Sequence, residues 1–314
     1  MDHVLPVEEE MNHRGLPARL VTRLEDLDPS ELGPVVVASY GDLCRVRGKA
    51  GRRPLVLMEH GAGQTYSGLG RDAYADGGDL AGVQLCLVPG YHAAQARAKT
   101  VGPRTRVARV GLTKLNDLLV SRWEHIRRRN EPNRRKVIAF GWHWDCRVCK
   151  ETRATWPRWM PALQGLADAD EWDILGHGHP REWPRLEEAY RVRGIKTEPK
   201  FDRVVEVADV YCVDNSSTAF EALAAGIPVV LLDAPGWEKA SHGLRFGMEA
   251  NHLDRCTEPK RLRGAIQWVL SDVPAALERQ QKALQTIYEP RFGGPTAAAD
   301  QIEILVRGAR GPII

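Results

Sequence analysis

The run Asp214-Asn-Ser-Ser-Thr218 places two serines and a threonine in a row. They lie between an apolar, β-branched stretch, Val210-Tyr-Cys-Val213, and residues spaced for a helix. Hydroxyls gathered where a helix begins suit an anion, because unpaired backbone N–H groups and the positive end of the helix dipole face the same way. A phosphate is one reading of Ser216, Ser217 and Thr218. Helix capping is the plainer one, but a cap needs a single such residue and the chain supplies three. Phe220, Leu223 and Ala224 recur at helical spacing, Gly226-Ile-Pro228 ends that helix, and Val229 to Leu232 reads as the next strand.

Two glycine-flanked histidines also follow strand-like runs. After Leu55 to Met58 comes Glu59-His60-Gly61-Ala62-Gly63-Gln64, and after Trp172 to Leu175 comes Gly176-His177-Gly178-His179-Pro180-Arg181. Glycines let the backbone turn sharply and bring an imidazole to the edge of a cleft. A neutral histidine is suited to taking a proton from an alcohol near pH 7. His60 is the candidate base, with Glu59, Gly61 and Gln64 lining the cleft beside it; a turn histidine without a ligand is the alternative. His179 or Arg181, facing the Ser216–Thr218 turn, would neutralise a diphosphate, and His177 would line the same cleft. His177 and His179 at i and i+2 could hold a metal, but no carboxylate partner stands near them in sequence. His143 with Cys146 and Cys149 could form part of a zinc site, yet no second ligand pair follows at a conventional spacing. A thioredoxin-like redox pair is a further option for these two thiols. Ordinary loop thiols are the favoured reading, and neither metal nor cofactor is expected.

Strand-like and helix-like runs alternate almost throughout, which argues for parallel sheets covered by helices. Val35 to Ser39, Pro54 to Glu59, Val83 to Val88 and Arg106 to Gly111 read as strands in the first half, with a helix over Tyr91 to Lys99. A helix breaks at Pro132, and a fresh strand begins at Lys136. The expected division is therefore a first Rossmann-like domain, 1–131, and a second with terminal helices, 132–314. In the second, helices near Trp156 to Ala167 and Pro184 to Val192 flank the strand Trp172 to Gly176. Leu262, Ile266, Val269 and Leu270 form an apolar stripe in a helical tail, as do Ile302, Ile304 and Leu305. The fold expected is α/β, two Rossmann-like domains whose parallel sheets face a central cleft.

The 314 residues suffice for two domains, and 43% apolar with 27% charged residues is the composition of a globular protein. No run approaches the ~20 apolar residues of a membrane span. The acidic start Met1 to Glu10 is unlike a basic signal peptide, so a cytoplasmic protein is expected. The six cysteines mostly sit in apolar runs and read as reduced thiols. A formal net charge of +3 does not itself argue for nucleic acid. Arg122, Arg127, Arg128, Arg129, Arg134, Arg135 and Lys136 nevertheless crowd one stretch, as a solvated helix end or as a basic lip for an anionic acceptor.

The order of His60-Gly61, Gly111-Leu-Thr-Lys114-Leu-Asn-Asp117, His179-Pro180 and Asp214-Asn-Ser-Ser-Thr218 resembles the CDP-glycerol glycerophosphotransferases, which belong with the GT-B glycosyltransferases. The matching pieces fall between residues 54 and 233. The resemblance implies a GT-B-like fold with an acceptor-side first domain and a nucleotide-donor second domain. It implies that His60 is the base, and that His179, Ser216 and Ser217 contact the donor's phosphates. The family's Trp-His-Gly-Thr turn is here Glu59-His60-Gly61-Ala62, and the aspartate-tyrosine pair that often follows the serines is replaced by Ala219-Phe220-Glu221. The helix after Thr218 is also similar to that of UDP-N-acetylglucosamine 2-epimerases, which implies that Glu221 holds ribose hydroxyls. A helix-surface acid is the alternative for that residue.

The function expected is a transferase moving a group from a nucleotide-sugar or CDP-glycerol-like donor to an acceptor hydroxyl without a metal. An anionic polymer and a modified base in DNA are both acceptors that the arginine cluster would suit. A non-hydrolysing UDP-sugar 2-epimerase and a catalytically silent nucleotide-sugar- or nucleic-acid-binding protein are the alternatives.

Overall fold

The computed structural model describes residues 3–308 apart from positions 29, 39, 60–64, 67–70, 73–79, 81, 115–117, 119–121, 124, 129–130, 132–133, 146–152, 234–251 and 289–292. The chain divides into two compact units. One comprises Met1–Ala62, Asp72–Asn116 and Gln285–Ile314, the other Gly63–Arg71 and Asp117–Leu284. Short strands β3 (Thr65–Tyr66) and β4 (Arg71–Asp72) pair with each other.

In the first unit, β1 (Val35–Val37), β2 (Leu55–Met58), β5 (Val83–Val88) and β6 (Arg106–Arg109) form a parallel sheet in that order. Successive strand side chains point to opposite faces, so an uninterrupted apolar run must be covered on both. Leu55, Leu57, Cys86 and Val88 pack with Leu43 of the helix Tyr40–Arg47 and Ala93 of the helix Tyr91–Thr100. Val56, Met58, Leu85 and Leu87 pack instead with Val7 of the helix Leu5–His13 and with Ala298 and Ile302 of the helix Pro295–Val306. The register shifts between Leu55 and Val56. There the Leu55 N–H donates to Gln84 Oε1 at 2.6 Å, so the backbone group stays satisfied.

The second unit holds a six-stranded parallel sheet made of β7 (Val137–Gly141), β8 (Asp173–Gly176), β9 (Lys196–Thr197), β10 (Val210–Val213), β11 (Val229–Leu232) and β12 (Asp254–Cys256). Its spatial order is β12-β11-β10-β7-β8-β9. The chain therefore runs outward from β7 to β9, returns past β7 to β10, and runs outward the other way. Between β7 and β10 the direction reverses, and in open α/β sheets such a switch point opens a crevice beyond the carboxyl ends of the strands. Ile138, Phe140, Cys212, Val230 and Leu232 build the core with Trp159 and Leu163 of the helix Trp156–Asp168, Leu186 of the helix Trp183–Arg191 and Ile266 of the helix Leu262–Ser271.

Two local devices fix the strand ends. A Cβ on Gly176 would come within 2.6 Å of the Tyr190 ring, so only glycine admits that packing at the end of β8. The helix Thr218–Ala224 stops at Gly226, whose φ of +76° suits glycine. There the Gly226 N–H donates to the Leu223 carbonyl and the Ile227 N–H to the Ala222 carbonyl, both at 2.9 Å, the paired closure of a helix end expected at that glycine. Among the described residues no helix is long and apolar enough to cross a membrane.

Candidate functional site

The switch point of the second unit is framed by the residues that follow β7, β8 and β10, three neighbouring strands. After β10, Asp214 is wholly buried and acts as a fastener. Its Oδ1 accepts the His143 N–H at 2.7 Å, and its Oδ2 accepts the Thr155 N–H at 2.9 Å and the Thr155 hydroxyl at 3.2 Å. One carboxylate thus ties the exit of β7 to the entry of the helix Trp156–Asp168. Burial pushes its pKa up to about 6, against the pull of the Thr155 and His143 hydrogen bonds.

The hydroxyl trio beyond Asp214 is half-buried. Thr218 Oγ1 lies 2.8 Å from Ser216 Oγ and 2.9 Å from the hydroxyl of Tyr211, a buried residue of β10. Ser217 occupies the position just before the helix, and its side chain makes no capping hydrogen bond. Ser216 and Thr218 therefore form a short hydroxyl chain anchored on β10, and Ser216 Oγ also accepts the Thr218 N–H at 3.4 Å. Glu221, one turn further on, is 3% exposed, so it belongs to the interior and not to the helix surface.

After β8 the two histidines separate in role. His177 is buried, and its Nδ1 lies 2.9 Å from the Glu198 carbonyl. Its ring rests between Trp183 and Phe201, at 6.5 and 5.6 Å. Burial pulls its pKa below the usual histidine value, against the Glu198 hydrogen bond and the charge of Glu221. His179 is half-buried, and its backbone N–H donates to the Trp142 carbonyl at 2.9 Å. The Arg181 N–H donates to His179 Nδ1 at 3.1 Å, which places the proton of a neutral ring on Nε2. The His179 ring lies 6.1 Å from that of His143 and 6.2 Å from that of Trp144. The Arg181 guanidinium carbon sits 4.9 Å from the centre of the Trp144 ring.

His179, Arg181 and the Ser216–Thr218 turn thus occupy the ends of strands in one sheet, and the structure adds His143, Trp144 and Tyr211 to them. In the first unit, Glu59 is buried and ion-paired with Arg97 of the helix Tyr91–Thr100. Lys114 is buried as well. His60, Gly61, Gln64, Asp117, Cys146 and Cys149 lie outside the described residues. Among the described residues, no group of three or more His, Cys, Asp or Glu side chains is arranged for a metal ion. Cys86, Cys212 and Cys256 are buried free thiols, and Cys44 is an exposed one. Part of the arginine cluster is neutralised locally: Arg134 pairs with Asp209, and Arg135 with Asp170 at 2.8 Å and Asp173 at 3.4 Å.

No family model and no curated protein matches the chain. Solved structures do. The wall teichoic acid polymerase TagF aligns over 97% of this chain and 95% of its own, with a TM-score of 0.55 and 12% identity. A form of TagF soaked with CDPG aligns over 83% of this chain and 69% of its own, with a TM-score of 0.54 and 16% identity. A UDP-forming α,α-trehalose-phosphate synthase from Burkholderia vietnamiensis aligns over 98% and 79%, with a TM-score of 0.50 and 11% identity. The chain has an α/β, GT-B-like fold of one four-stranded and one six-stranded parallel sheet, similar to the folds of TagF and the trehalose-phosphate synthase.

Proposed function

We propose that this protein is a GT-B transferase that moves a group from a nucleotide-diphosphate-activated donor to an acceptor hydroxyl. The observation that carries the reading is the gathering of His179, Arg181 and the Ser216–Thr218 hydroxyls at the carboxyl ends of β8 and β10, beside the switch point of the sheet. The donor's diphosphate lies against those groups, with its ribose hydroxyls on Glu221. Within the interior a carboxylate binds hydroxyl donors more strongly than it would in water. Buried His177 lines and braces this wall.

The acceptor hydroxyl gives its proton to His60, and its oxygen attacks the electrophilic carbon or phosphorus of the donor. In a nucleotide-sugar the bond from that carbon to the diphosphate oxygen breaks and a nucleoside diphosphate leaves. In a CDP-glycerol-like donor the bond from that phosphorus to the bridging oxygen breaks and a nucleoside monophosphate leaves. Charge growing on the leaving phosphate is offset by the Arg181 guanidinium and the His179 Nε2–H, so fixed charges and dipoles do the work of a metal. Glu59, next to His60 in the chain, is ion-paired with Arg97. The likeness to a polymerase structure soaked with CDPG makes a cytidine diphosphate conjugate the first donor to try, and a nucleotide-sugar the second. A polyanionic chain or a modified DNA base is the acceptor that exposed Arg122 and Arg127 suit.

A thermal-shift panel of CDP, UDP, GDP and ADP with their glycerol and sugar conjugates tests the donor. A ligand at ~100 times its dissociation constant adds about 2.7 kcal/mol to stability. The Ser216→Ala/Ser217→Ala double variant should lose most of that shift, while His60→Ala should keep it and lose transfer. No shift with any nucleotide refutes the proposal. Conversion of a UDP-sugar with no acceptor present would instead identify an epimerase.

A further inference from the structure

We propose that Trp144 is a positioning residue for the donor diphosphate, and that it acts by holding the Arg181 guanidinium at the crevice beyond β7 and β8. The inference rests on the donor reading above. Arg181 is exposed, and among the described residues it has no carboxylate partner. Several other exposed arginines of the same unit are neutralised: Arg135 by Asp170, Arg191 by Glu188 and Arg203 by Glu206. Arg181 stacks instead on half-buried Trp144, 4.9 Å from the ring centre. An arginine fixed by an aromatic face keeps its full positive charge, which an ion pair would cancel.

A guanidinium laid flat on an aromatic face keeps its in-plane N–H groups for a ligand, and these match a phosphate in a two-pronged contact. A free arginine side chain samples many rotamers and loses that freedom on binding. Here much of the loss is taken before the ligand arrives. The backbone is held as well, because the Arg181 N–H donates to His179 Nδ1 at 3.1 Å and the His179 N–H donates to the Trp142 carbonyl at 2.9 Å. Trp142 is buried with its indole N–H on the Tyr190 hydroxyl at 2.5 Å, so the support is rooted in the core. The loop after β8 is thereby laid against the end of β7, with Trp144 as the outer contact.

Calorimetric titration with CDP, UDP, pyrophosphate, cytidine and uridine tests this. Trp144→Ala should weaken diphosphate and pyrophosphate binding about three- to five-fold, the size of a partly exposed cation–π contact, and leave nucleoside binding unchanged. Trp144→Phe should stay within about two-fold of the native protein, since the phenyl face still stacks. Arg181→Lys keeps the charge at an exposed position that folding does not depend on, but loses the planar stack; it should match Trp144→Ala. Added to Arg181→Ala, Trp144→Ala should cause no further loss. Additive losses, an equal loss for cytidine or uridine, or Arg181→Lys behaving as the native protein would each overturn the assignment to Trp144. Unchanged diphosphate binding by a folded Trp144→Ala overturns it while leaving the donor reading intact. A native protein that binds neither the nucleoside diphosphates nor pyrophosphate removes both.

Discussion

Asp214 shows how a single residue can serve a site without touching a ligand. Its two oxygens accept three hydrogen bonds from His143 and Thr155, and no part of it is exposed. In Asp214→Asn an amide NH2 must face one of those donors, a cost of about 1–3 kcal/mol. The pH dependence has a definite sign. With a folded pKa of about 6 against 3.8 for the free group, the folded state holds this proton more tightly, so the contribution is full below pH 4 and lost as pH rises through 6. The stability gap between the native protein and Asp214→Asn, from urea unfolding, should be wider at pH 5 than at pH 7 by about 1 kcal/mol. A gap independent of pH would show that Asp214 is already charged at both. His177 works in the opposite direction: its pKa is lowered by burial, so it costs the fold stability as pH falls below its ordinary 6.5. The sequence pointed to Ser216 to Thr218 and His179 because polar residues directly after apolar runs stand out. It could not show that His177 faces the interior, because alternation with glycines looks the same whether Tyr190 and Leu186 fill the space beside them or a ligand does. Trp144 was hidden for a different reason. It gains meaning only from standing opposite Arg181, which strand order decides and sequence spacing does not.

At the scale of elements, long apolar runs were the easiest to read. Val83 to Val88, Val210 to Val213 and Val229 to Leu232 are strands as expected, because burial on both faces leaves them few polar residues. The short outer strands Lys196–Thr197 and Asp254–Cys256 carry too little apolar signal to stand out. The tail was legible as helix from its stripe, but Gln280 was not legible as core. In the helix Val273–Ile287 it is wholly buried, takes the Val229 N–H and donates to the Val229 carbonyl, each at 2.8 Å. It therefore completes β11 much as a neighbouring strand would. Gln280→Leu leaves that backbone pair without its partner and removes one of the donors to Asp254, which keeps Arg279, and should cost about 2–4 kcal/mol in chemical denaturation. A cost below about 0.5 kcal/mol would mean the helix is not fastened there.

At the scale of the molecule, residues 117–284 form most of one unit, while the other is assembled from segments on either side of them. The helix Pro295–Val306 covers Val56, Met58, Leu85 and Leu87 together with the helix Leu5–His13. Deleting residues 295–306 should strip protection from amides of β2 and β5 in hydrogen exchange while β7, β8 and β10 stay protected. Equal loss in both sheets would show that the units unfold as one. The arrangement bears on the order of synthesis. While the ribosome makes the chain, the second sheet has all its strands available well before the last helix emerges. The first sheet must wait with one apolar face covered only by the helix Leu5–His13 until residue 306 has left the exit tunnel, which makes that interval the one in which a chaperone has most to guard.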